Sequence, residues 1–166
     1  PSDTVWTYTF TPTDNDEAVT IDIAAGGITD AAGNDNTAAA TQFAFTHDRT
    51  APTISTVAVA GATEDGYGVA STYVVTITPS ETLSAVPTLT VTGGSITTAG
   101  AASNANYVYT VTPSDNDEAM TVVVAVGGAT DSAGNANTAA SNNFGWTHDA
   151  TAPTSSAVTI AVDGTG

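Results

Sequence analysis

An eight-residue stretch, Thr46-His47-Asp48-Arg49-Thr50-Ala51-Pro52-Thr53, returns 101 positions later as Thr147-His148-Asp149-Ala150-Thr151-Ala152-Pro153-Thr154. Around it, residues 8–53 align without a gap on residues 109–154, with 30 of 46 positions identical. A duplication this regular constrains the fold strongly. One structural unit must form at each interval, and the end of one copy must lead directly into the next. The chain divides on this basis into three parts. Residues 1–50 are the C-terminal half of a repeat, 51–150 a complete repeat, and 151–166 the first strand of a following one. Ala152-Pro153-Thr154 opens that third copy as Ala51-Pro52-Thr53 opens the second. No leader-like segment precedes the repeats and Pro1 is not a translation start, so the sequence reads as an excerpt or a processed product.

Within the complete copy the hydrophobic signal has period two. Tyr73-Val74-Val75-Thr76-Ile77-Thr78 alternates, as do Leu89-Thr90-Val91-Thr92 and Tyr107-Val108-Tyr109-Thr110-Val111-Thr112. β-branched residues dominate these runs, while Gly, Asn, Asp and Pro separate them. The spacing predicts seven strands, at 54–60, 72–79, 87–92, 95–98, 106–113, 119–126 and 142–148. That number of short strands in about 100 residues is the size of an immunoglobulin-like sandwich. The expected fold is therefore all-β: immunoglobulin-like seven-strand β-sandwich repeats in tandem.

The two copies also assign faces. Ile21 and Ile23 stand where the second copy has Val122 and Val124, so these positions stay bulky and point inward with Val19 and Met120. Asp22 replaces Val123, which places that position toward water. Phe43 and Phe45 match Phe144 and Trp146 as core residues. Trp6, Tyr8 and Phe10 match Tyr107, Tyr109 and Val111 and are expected to supply the facing core.

Charge limits the partners. The chain has 17 acidic residues, one Arg (Arg49) and a formal charge of −16. Coulomb repulsion makes nucleic acids and anionic membrane surfaces poor partners. There is no Cys, hence no disulfide and no thiolate metal site. No apolar run is long enough to span a bilayer. A fold this acidic must relieve its self-repulsion, through bound cations or a high-salt medium.

The densest acidic motif is Asp14-Asn15-Asp16-Glu17, repeated as Asp115-Asn116-Asp117-Glu118. Pro12 and Pro113 end the strand just before it, because proline donates no ladder hydrogen bond. Such a run is ordinarily a solvated turn. In a seven-strand sandwich, however, this turn falls at the same pole as Asp48 or Asp149, which end the last strand. Glu64 and Asp65, in the first hairpin loop, are expected there too. Six carboxylates of the complete copy (Glu64, Asp65, Asp115, Asp117, Glu118 and Asp149) would then face the N-terminal pole of the next repeat. That pole offers the loop from Thr130 to Asn137. Oxygen ligands of this kind suit Ca²⁺, so a Ca²⁺ ion is expected at each junction. Asp131, like Asp30 in the first copy, reads first as a turn residue accepting loop N–H groups, with a metal role secondary.

His47 and His148 end the last strand beside Asp48 and Asp149. No Ser stands in a nucleophile motif, so these histidines are expected to pack or hydrogen-bond against the linker rather than catalyse. The Thr-x-Thr runs at 76–78 and 88–92 read as ordinary outward strand residues.

The run Thr130-Asp131-Ser132-Ala133-Gly134-Asn135, followed by Phe144-Gly145-Trp146-Thr147-His148-Asp149-Ala150-Thr151-Ala152-Pro153-Thr154, resembles the tandem bacterial immunoglobulin-like repeats of large adhesins and biofilm proteins. Domains of that family close with an Asp-Ala-Ala-Gly-Asn loop and a Val-Asp-Thr-Thr-Ala-Pro junction. The resemblance implies an extracellular sandwich with Ca²⁺ at junctions, at positions matching Asp48, Asp149 and Asp131. This chain departs from the family in its His before the junction Asp and in its Asp-Asn-Asp-Glu turn. The expected role is a non-enzymatic spacer at the bacterial cell surface. Its partners would be neighbouring repeats of the same protein, and cell-surface or matrix ligands. The alternatives are a fibre subunit completed by strands from neighbouring chains, and a carbohydrate- or ice-binding module.

Overall fold

The computed structural model describes residues 5–103 and 106–159. The chain divides into two units, Pro1–Ala51 and Pro52–Gly166.

The second unit is a two-sheet sandwich. β3 (Ile54–Ala60), β5 (Tyr73–Pro79), β8 (Asn106–Pro113) and β7 (Gly94–Ser103) form one sheet, in the order β3-β5-β8-β7. β4 (Tyr67–Gly68), β10 (Phe144–His148), β9 (Glu118–Val124) and β6 (Leu89–Thr92) form the other, in the order β4-β10-β9-β6. Apart from β4, this is the strand order of an immunoglobulin-like sandwich. The seven expected strands form, with small changes at their ends. β6 starts only at Leu89, beyond Pro87, which lacks the N–H a ladder needs. β7 runs well past its expected end, to Ser103, through two irregularities in its register with β8. β4 has no counterpart among the expected strands.

Alternation places the core as the sequence requires. Val57, Val59, Tyr73, Val75, Ile77, Tyr107, Tyr109 and Val111 meet Leu89, Met120, Val122, Val124, Phe144 and Trp146 between the sheets, all buried. Each large apolar side chain withdrawn from water in this way contributes about 1.5–3 kcal/mol. Gly93 lets the chain pass from β6 in one sheet to β7 in the other. Its φ is +75°, and a Cβ there would lie 2.4 Å from the Ala119 carbonyl oxygen, so no other residue fits. The buried Tyr109 hydroxyl donates to the Pro87 carbonyl and ties β8 to the loop before β6.

The first unit repeats only part of this. β1 (Glu17–Ile21) pairs with β2 (Phe43–His47) in the register of β9 with β10: Glu17 opposes His47 as Glu118 opposes His148. The hairpin loop is also reproduced. Asn36 Nδ2 donates to the Ala24 and Ala38 carbonyls, as Asn137 Nδ2 does to Ala125 and Ala139. Asp22 is exposed, as expected.

Trp6, Tyr8 and Phe10 depart from expectation. Residues 5–12 form no strand, and Trp6 and Tyr8 are 64% and 77% exposed. The cause is the lack of partners. β8 is held between β5 and β7, and the first unit has no counterpart of either among its described residues. Val19, Ile21 and Ile23 then line an open cleft of about 800 Å³ together with Tyr8, Phe10 and Ile28. The expected first strand of a third repeat lies partly outside the described residues, at 160–166. Residues 151–159 carry no strand.

Candidate cation sites at the ends of the repeat

At the end of the second unit where β10 finishes, the pairing of Glu118 with His148 sets the geometry. It brings Asp117, one residue before Glu118, to the same end as Asp149, one residue after His148. Asp115 is exposed in the turn that leads into Asp117. Asp117 has φ +57°, a left-handed conformation that Asp and Asn tolerate better than other non-glycine residues. Asp149 turns the chain onward: its Oδ1 accepts the Thr151 N–H at 2.9 Å.

The first unit shows the same arrangement with one further bond. Asp16 has φ +59°. Thr50 donates its N–H to Asp48 Oδ1 and its hydroxyl to Asp16 Oδ2, both at 2.9 Å, so two carboxylates converge on one threonine. Glu17 turns back to accept the Thr13 N–H at 2.9 Å and the Thr13 hydroxyl at 3.1 Å. The Thr13 N–H is the main reason its carboxyl is held below the ordinary range. Asp14 is exposed in the same turn.

Glu64 and Asp65 do not join this end. The Asp65 N–H donates to the Gly145 carbonyl at 2.8 Å. Gly145 lies four residues before Asp149 along β10, or roughly 13 Å at strand rise. The loop after β3 crosses to the other sheet to form β4, and this carries Glu64 and Asp65 along the flank of the sandwich.

At the opposite end, the loop between β9 and β10 is organised by Asp131, which is 1% exposed. Its Oδ1 accepts the N–H groups of Ala133, Gly134 and Asn135, at 2.7–2.9 Å. Oδ2 accepts the Asn135 amide at 2.8 Å. Desolvation pushes the Asp131 carboxyl up, but the bonds from Asn135, Gly134 and Ala133 outweigh it and hold the group ionised below the ordinary range. Asp30 makes the equivalent bonds to Ala32 and Asn34 in the first unit. The turn role of both residues is thereby accounted for.

The sequence reading missed Glu81. It stands alone in the sequence, 50 positions from Asp131. A bridge between Leu83 and Asp131, with the Ser84 N–H donating to the Thr130 carbonyl, folds its loop against the Asp131 loop. Carboxylate oxygens of Glu81 and Asp131 come within 4.8 Å of each other. Nothing local in the sequence signals this pair.

His148 also differs from expectation: it does not face the linker. It is buried, and its Nδ1 lies 2.8 Å from the Tyr73 hydroxyl. Its ring is spent on a contact between the sheets.

A profile described as bacterial Ig-like domain matches residues 1–47 and again 48–147. The chain belongs to the bacterial Ig-like domain family. Comparison with curated proteins and with solved structures gives no match. Bacterial Ig-like domains are typically structural repeats of extracellular surface proteins rather than enzymes. Among the described residues, no helix is long and apolar enough to cross a membrane.

Proposed function

We propose that this bacterial Ig-like chain is a non-enzymatic spacer of a cell-surface protein, an adhesin stalk or filament, whose junctions are stiffened by Ca²⁺. What supports the reading is the distribution of carboxylates at the two ends of the repeat. One end carries Asp117 and Asp149, and in the first copy Asp16 and Asp48. The other carries Glu81 beside Asp131. Asp48 stands four residues before Pro52, so the segment between the repeats runs from an end of the first kind to an end of the second. Like charges brought together repel unless a cation lies among them, and carboxylates are the hard oxygen ligands Ca²⁺ prefers. Asp131 Oδ2 accepts one N–H, from the Asn135 amide, and a carboxylate oxygen can take a second ligand.

Calorimetric titration of the chelated chain tests this. Heat of binding and a rise in melting temperature with Ca²⁺ are expected. A rise that NaCl alone reproduces at equal ionic strength would make the effect general screening. No heat would remove the ion from the account.

A second reading is favoured by one observation, the open cleft of the first unit. Its Tyr8 and Phe43 are exposed where their counterparts Tyr109 and Phe144 are buried. Strands from a neighbouring chain would cover that face in a fibre. The mass of the purified chain in solution, monomer or larger, separates the two readings.

A further inference from the structure

β4 is short, yet it is the strand that pairs directly with the last strand, and it does so in parallel: Tyr67 with Thr147, Gly68 with His148. We propose that this ladder is a mechanical clamp that lets the repeat resist tension along the chain. The proposal rests on the spacer reading, since only a tethered repeat carries load.

In a tandem array, tension enters the repeat ahead of β3 and leaves after β10. β10 runs from the Asp131 end to the Asp149 end, because Phe144 opposes Val122 and His148 opposes Glu118. β4 runs parallel to it. Pulling from the N-terminal side draws β4 toward the Asp131 end, while pulling from the C-terminal side draws β10 the opposite way. The two strands must therefore slide lengthwise past each other.

The hydrogen bonds between them run from strand to strand, slanted as in any parallel ladder, rather than along that direction. Asp65 N–H to Gly145 O is 2.8 Å, Thr147 N–H to Gly66 O is 2.9 Å, and Asp149 N–H to Gly68 O is 3.0 Å. In sliding, all three are strained together. An antiparallel β4 would instead be peeled, one bond at a time. β3 is also pulled lengthwise along β5, but if it yields the load passes to β4, and the clamp still joins the two loaded ends.

The clamp is also fixed from behind. A Cβ on Gly68 would lie 2.6 Å from the Tyr73 hydroxyl, so β4 sits directly against the side chain that is bonded to His148 of β10. This close approach explains the glycine and holds β4 beside β10.

Single-molecule force spectroscopy on the full chain, in chelator, tests the inference without relying on any junction ion. Opening of residues 53–149 releases roughly 300 Å of chain, which identifies the event. With both termini tethered, β4 and β10 are sheared. With the N-terminus and an Asn143→Cys attachment, β10 is pulled from its first residue and peeled; the chain has no other Cys. The expected rupture force in the peeling geometry is about threefold lower, because three bonds no longer share the load. Equal force in both geometries would overturn the clamp and leave the spacer reading standing. Thr147→Pro removes one of the three donors and should lower the shearing force by about a third while leaving the peeling force nearly unchanged. If that variant does not fold, the comparison of geometries still decides.

Discussion

The Tyr73 hydroxyl and His148 Nδ1 are 2.8 Å apart in the core, and they join β5 of one sheet to β10 of the other. Trp146 packs edge-on against the same tyrosine ring, with centroids 5.0 Å apart. Tyr73→Phe keeps the ring and removes the bond, leaving a buried imidazole nitrogen unpartnered. The expected loss is about 1–3 kcal/mol, read from urea denaturation. An unchanged midpoint would mean that the contact adds nothing to stability.

Asp131 should give the second unit an acid-sensitive stability. Its folded carboxyl titrates below the ordinary range, so its contribution is fully present above the ordinary aspartate pKa of about 4. It is lost as pH falls through the lowered folded value. Asp131→Asn should abolish this part of the acid limb in thermal melts taken across pH 2–5. An acid limb that does not change in the variant would assign it to other carboxylates.

The alkaline side should depend on Tyr109. Burial, with a smaller effect from Tyr107, pushes its phenol up to about 12. A raised folded value means stability that is complete below the unfolded pKa of about 10 and is lost as pH rises toward the folded one. Tyr109→Phe should show a flatter stability profile between those values, and a lower plateau at neutral pH because the bond to the Pro87 carbonyl is gone. A profile as steep as that of the parent chain would contradict this.

Period-two alternation made the sandwich legible. Val122 and Val124 against Ile21 and Ile23 identified the inward face, and Asp22 against Val123 the outward one. β4 was not legible, because two residues carry no period and its partner lies about 80 positions away in β10. Glu81 was missed for the same reason: its nearness to Asp131 depends on a long-range bridge. Glu64 and Asp65 were misplaced because the sequence does not show that the loop after β3 crosses between sheets. Trp6, Tyr8 and Phe10 are strand-forming types without ladder partners among the described residues, and residue type alone does not make a strand.

Arg49 allows the junction itself to be probed. It is the chain's only Lys or Arg, it is exposed, and it stands between Asp48 and Pro52. Trypsin can therefore cut the chain at one place only, inside the segment that joins the two repeats. If Ca²⁺ stiffens that segment, cleavage after Arg49 should slow at least tenfold on adding Ca²⁺ to the chelated chain, as expected if the ion lowers the population of the open junction by about 1.4 kcal/mol. A rate unaffected by Ca²⁺, with trypsin activity held constant on a control peptide, would contradict a cation at the junction.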